Sequence, residues 1–299
     1  MSPPVTGEPA GIVRALGAKV QAATFDPATG LLAVLAPAVD GKSTLATLGA
    51  TGAPETVPLP GPATAMAGDN EGRVFVSTRG GYFRVDLRAG TAERVDIEGQ
   101  QGTEFTAIAR RADGKLVLGS ADGAVSTLRT EDTVDASLKI FARVDALVTQ
   151  GNTTVVLDRG QTSVTTIDAG GSDSKHSLRA GEGATTMTVD PAGRVLVTDT
   201  RGDSLLVFGV DPLILRQRYP VRGAPYGLVG SSKLTWVSQT ATNTVVGYDL
   251  ATGIPVEKVR YRTVQQPNSL AFDEESGTLY VVSGSGAGVQ AIPDAAVIR

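Results

Sequence analysis

Three Arg-Gly pairs stand out in a chain with few other reactive groups: Arg79 in "STRGG", Arg159 in "LDRGQ" and Arg201 in "TDTRGD". A guanidinium is a permanent charge on a planar fork that grips carboxylates and phosphates bidentately. Three of them on one surface would therefore suit an acidic ligand or partner. Against this, Arg-Gly is also an ordinary turn sequence, and the chain is arginine-rich, with 20 Arg to 7 Lys. The third pair begins Arg201-Gly202-Asp203-Ser204, read elsewhere as an adhesion ligand. Its sister loops lack the acid, so Asp203 reads as idiosyncratic and the arginine as the recurring element.

Most other chemistry lacks its parts. There is no Cys, which removes disulfides, thiolate metal sites and thiol nucleophiles. His176 is the single histidine, in the polar stretch "GGSDSKHSLRA". Sites built from several imidazoles are thus excluded, and a solvated turn is the plain reading. "DGKST" (40–44) looks like the end of a phosphate-binding loop, but the leading glycine falls on Ala36 and strand pattern follows. "SGSGAG" (283–288) has the glycines of a dinucleotide loop, yet it joins two strands and offers no helix N-terminus to a phosphate. The acidic turns "FDPATG", "VDPAGR" and "FDEESG" lack calcium-loop spacing and place Asp where it supports turn geometry.

The elements that must position these residues are short. In 299 residues, 36 glycines and 16 prolines stand against seven Phe, six Tyr and one Trp. That ratio suits many brief strands joined by tight turns. Hydrophobic residues make up 41% and charged residues 19%, a globular balance. The net charge of −4, with basic residues scattered, argues against a nucleic-acid partner. No run approaches the ~18 apolar residues of a membrane-spanning helix.

Seven segments repeat one plan, a short apolar strand, a turn rich in Asp, Gly or Asn, and a stronger apolar strand. They include "AATFDPATGLLAVLA", "TMTVDPAGRVLVTD" and "SLAFDEESGTLYVVS". Their first strands end at Phe25, Ala67, Ala109, Val148, Val189, Val229 and Phe272, spaced 42, 42, 39, 41, 40 and 43 apart. A period near 41 with four strands per unit predicts an all-β fold, a seven-bladed β-propeller of four-stranded antiparallel blades. Blades are expected to start near 22, 64, 105, 145, 185, 226 and 268. The last unit runs out of chain before its outer strand, while a spare strand, Gly11–Leu16, precedes the first. Pairing the two closes the ring and covers a sheet edge. The domain is thus 11–299, with residues 1–10 a flexible Pro-rich tether.

In such a ring the second-to-third-strand loops share a face with the entries to the inner strands. That face holds Arg79, Arg159 and Arg201, and around the channel mouth Thr64, Glu104, Asp145, Thr185, Tyr226 and Asn268. Propellers commonly bind along this face. Six-bladed calcium-dependent lactonases ring their channel with Glu, Asn and Asp, so Glu104, Asp145 and Asn268 sustain an alternative: a metal-dependent hydrolase or lactonase, with calcium as its cofactor. Polar linings are also the default for a water-filled axial hole, and two acids are few.

The last three units carry a family likeness. Pro225 and Pro267 enter inner strands, and Leu279-Tyr280-Val281 forms a second strand. Thr242-Asn243-Thr244-Val245 leads through to Asp249-Leu250-Ala251-Thr252-Gly253. This pattern resembles the YVTN-type, YncE-like seven-bladed propellers of bacteria and archaea; the match weakens over 22–184. The resemblance implies an extracytoplasmic, non-enzymatic repeat protein bound to a surface. A quinone-cofactor dehydrogenase would need repeated Trp motifs, and there is a single Trp236. The expectation is a monomeric, cofactor-free binding scaffold of the cell envelope, docking a protein or cell-wall component. Its export signal, and a possible lipid anchor, are expected to lie in a segment ahead of residue 1.

Overall fold

Residues 184–220 show how the sequence builds each unit. The inner strand Ala184–Val189 is followed by Val195–Asp199, Ser204–Val210 and the outer strand Leu213–Pro220. The second and third strands are buried along their whole length. That demands near-continuous apolar runs, which "VLV" and "LLVF" supply. The outer strand, "LILRQRYP", alternates and leaves Arg216 and Arg218 at the rim.

The structure, a computed structural model, describes residues 1–38 and 40–297, and contains no helix among them. Seven four-stranded antiparallel sheets follow in chain order, with inner strands beginning at Ala22, Met66, Phe105, Ala146, Ala184, Pro225 and Pro267. Adjacent inner strands touch all the way round, including Pro267–Asp273 against Ala22–Asp26, so the ring is closed. The seventh blade takes its outer strand from the other end of the chain. Ile12–Arg14 pairs antiparallel with Val289–Ile292, with Ile12 opposite Ala291 and Arg14 opposite Val289. The clasp is three residues long, shorter than the Gly11–Leu16 stretch that the sequence offered.

The core is divided rather than central. Each of seven apolar clusters is sandwiched between two neighbouring blades. Between blades six and seven, fully buried Trp236 stacks on Tyr261 at 6.3 Å and on Phe272 at 6.1 Å. Every blade therefore depends on both neighbours for burial, which makes ring closure a condition of stability. Two faces result. The upper face carries the second-to-third-strand hairpins and the outer-to-inner loops. The lower face carries the other two sets of turns.

Candidate functional site

The upper hairpins of blades four and five are shaped from beneath by buried acids. Asp199 ends a second strand and is fully buried. Its carboxylate accepts the backbone N–H groups of Glu182 (3.0 Å), Gly183 (2.8 Å) and Gly202 (3.0 Å), and the Ser204 hydroxyl (3.3 Å). A buried carboxylate is tolerable when it is hydrogen-bonded this fully. Asp158 does the same in blade four for Ala142, Arg143 and Gln161. The acid also explains a glycine: a Cβ on Gly202 would run into the Asp199 carboxylate.

These turns present the arginines. Arg79, Arg159 and Arg201 are exposed, and none of their guanidiniums has an ion-pair or hydrogen-bond partner among the described residues. The stem of Arg201 lies over Gly183, where a side chain would collide with it. Arg222 and Arg262, in or beside the outer-to-inner loops of the same face, are also exposed and free of acidic partners. Sequence comparison missed both, because they stand where outer strands end and the repeat offers no anchor for alignment.

Three residues of the channel mouth, Glu104, Asp145 and Thr185, meet the arginine loops directly. The backbone of Arg79 bridges that of Glu104, and the Arg159 N–H donates to the Asp145 carboxylate at 2.9 Å. The Thr185 hydroxyl bonds that of Thr200, the residue before Arg201. In blades two to five, then, members of the two sets are neighbours in the fold.

Much of the mouth, however, is engaged in joining blades. The Thr64 hydroxyl donates to the Phe105 carbonyl of the next blade at 2.7 Å, and the Thr198 hydroxyl donates to the Tyr226 carbonyl at 2.9 Å. Asp145 is also paired with Arg143 at 3.1 Å, and the Asn268 carbonyl oxygen accepts from Gln266 at 3.1 Å. Glu104 is the mouth acid left exposed. Among the described residues, no three His, Cys, Asp or Glu side chains converge to hold a metal.

Asp203 proves not to be idiosyncratic. It sits at φ 46°, in the left-handed region that short polar side chains tolerate, and Asn243 in blade six sits at φ 48°. Asp203 accepts the Ala224 N–H at 3.1 Å, and Asn243 accepts the Gln266 N–H at 3.1 Å. Both are the same turn position of the repeat. The RGD match is a loop built from Gly202 fitted to a buried acid and Asp203 fitted to a left-handed corner.

No protein-family model and no curated protein matches the chain. Solved structures do. A streptogramin B lyase structure superposes with TM-score 0.75 at 10% identity, covering 95% of this chain and 96% of that one. A chain of the mitotic checkpoint complex gives 0.78 at 12%, covering 98% and 97%. The WD40 propeller domain of Doa1 gives 0.72 at 14%, covering 96% of each. The likeness is one of fold. Shared by a lyase and by a chain of a protein complex, this fold leaves function to the residues on its surface.

Proposed function

We propose that the protein is a non-catalytic binding propeller of the cell envelope that docks a protein or cell-wall component on its upper face. The supporting observation is the exposed set Arg79, Arg159 and Arg201, unpartnered and held at fixed hairpins. Leaving that many guanidiniums unpaired gains the fold nothing, whereas an acidic partner would pair them. The envelope location rests on the YVTN-like pattern of the last three units. Protein docking accords with the likeness in fold to a chain of the mitotic checkpoint complex. No observation favours the hydrolase alternative, since Asp145 is bound up in the wall and Glu104 stands without a second acid.

The test is retention of the purified chain on isolated cell walls and on immobilised envelope proteins, at low and high salt. Changing Arg79, Arg159 and Arg201 together to Glu should lower retention by about tenfold or more. Lys233→Glu on the lower face should leave retention unchanged. Equal retention of wild type and the triple variant would sink the proposal.

A further inference from the structure

Residues 2–10 lie across the upper face along the junction of blades six and seven, and the protein holds them by their main chain. The Ser2 N–H donates to Gln266 Oε1 at 2.7 Å. Gln265 Nε2 donates to the Ser2 and Pro3 carbonyls at 3.2 Å each, and Asn243 Nδ2 reaches the Pro3 carbonyl at 2.9 Å. Farther out, Gly7 packs on the Arg262 guanidinium. The Ala10 N–H donates to the Arg262 carbonyl at 3.0 Å, and Gln290 Nε2 donates to the Ala10 carbonyl at 2.7 Å.

The chemistry of this groove is selective. Towards residues 2–4 it offers two donor amides to carbonyls and one acceptor to a single N–H. Pro3 and Pro4 bring carbonyls and no N–H, so no donor of the segment is stranded, and their fixed φ lowers the cost of ordering it. Ser2 is 8% exposed, and its hydroxyl is enclosed without a partner. The slot therefore reads small size and makes no use of the hydroxyl; an alanine would sit there without stranding a polar group.

We propose that the junction of blades six and seven is a peptide-reading groove for an extended small-residue–proline segment, with residues 2–10 as its resident occupant. A partner protein presenting the same pattern displaces them. The groove uses Asn243, Gln265 and Gln266, so it is independent of the three-arginine reading. Gln266 also donates to Asn268, so the groove adjoins the channel mouth.

The experiment uses the full chain and acetylated fluorescent peptides of sequence MSPPVTGEPA, MAPPVTGEPA and MLPPVTGEPA. In wild type the tethered segment competes at an effective concentration of roughly millimolar, so peptides in trans bind weakly. Ser2→Trp, which cannot seat its own segment, should bind the Ser peptide at least about tenfold tighter. The Ala peptide should bind about fivefold tighter than the Ser peptide, and the Leu peptide should not bind. Gln265→Ala with Gln266→Ala in that background should abolish binding, while the three-arginine variant keeps it. As a second readout, a dye on Thr6→Cys in the otherwise cysteine-free chain should lose anisotropy when excess Ala peptide is added. No gain in Ser2→Trp, equal binding of Leu and Ser peptides, or a dye indifferent to peptide would each overturn the proposal.

Discussion

The two faces of this ring are built from the same kinds of turn, yet they treat charge differently. On the lower face several arginines have partners: Arg111 with Asp113 at 2.7 Å, Arg194 with Asp190 at 2.7 Å, Arg84 with Glu131, and Arg88 with the Ala28 carbonyl at 2.7 Å. Asp86 there is held below the usual carboxylate range by the Ala89 N–H and, more weakly, by the Arg73 and Arg88 charges. On the upper face Asp158 and Asp199 are spent on backbone N–H groups inside the turns, and Arg79, Arg159, Arg201, Arg222 and Arg262 point outward without an acidic partner. An acid buried to shape a loop cannot neutralise a cation on its surface. The upper face therefore carries more unpaired guanidiniums than the lower one, although some of its cations, such as Arg143 with Asp145, are paired.

That contrast breaks first if the buried acids are not what hold the upper loops. Asp199→Ala strands three backbone N–H groups and should cost about 4 kcal/mol, read as a fall in the denaturation midpoint. Raising the pH should instead weaken contacts between blades. Burial, with Glu131 nearby, pushes the Tyr82 hydroxyl up to about 12, and it donates to the Glu131 carbonyl at 3.0 Å. Tyr248 is likewise pushed up to about 12 by burial and Glu257. The unfolded chain loses these protons near pH 10 and the native chain near 12. Stability should therefore be unaffected below 10, fall between 10 and 12, and level off above. Tyr280 is also pushed up by burial, so absorbance titration should show several late phenols, with those of Tyr82 and Tyr248 each removed by its Tyr→Phe variant.

Smaller effects sharpen the same comparison. Asp69→Ala removes a lower-face cap that receives the Glu71 and Arg73 N–H groups at 2.8 and 2.9 Å in exposed positions. It should cost about 1 kcal/mol or less, well below Asp199→Ala. Asp203→Asn should change stability by less than about 0.5 kcal/mol, because Asn243 already performs that role. The variant destroys the RGD match without disturbing its turn. Binding to the envelope that survives Asp203→Asn and fails in the three-arginine variant would separate the two motifs cleanly.

The ring was legible because a four-stranded blade repeats near every 41 residues, and each second strand must be apolar on both sides. Inner strands begin within about two residues of the expected blade starts, and the clasp followed from a missing strand at one end and a spare one at the other. The arginine loops were legible as repeats too. Asp203 was misjudged because it was compared with "TRGGY" and "DRGQT" instead of with Asn243, one blade farther on. Nothing in local sequence marks Gln265 and Gln266 as partners of Ser2 and Pro3, more than 260 residues away. Side-chain amides gripping main chain leave no motif on the strand they grip.

The three-residue clasp has a consequence for how the molecule is made. Ile12 emerges early in synthesis, and its partner Ala291 about 280 residues later. At ribosomal rates the first strand waits on the order of tens of seconds for its neighbour. During that time the first blade's inner strand lacks its seventh-blade wall. The short, Arg-terminated strand Ile12–Arg14 presents little edge for a stray chain to pair with. A longer clasp would hold harder once shut, but it would also be a longer hazard while it stood open.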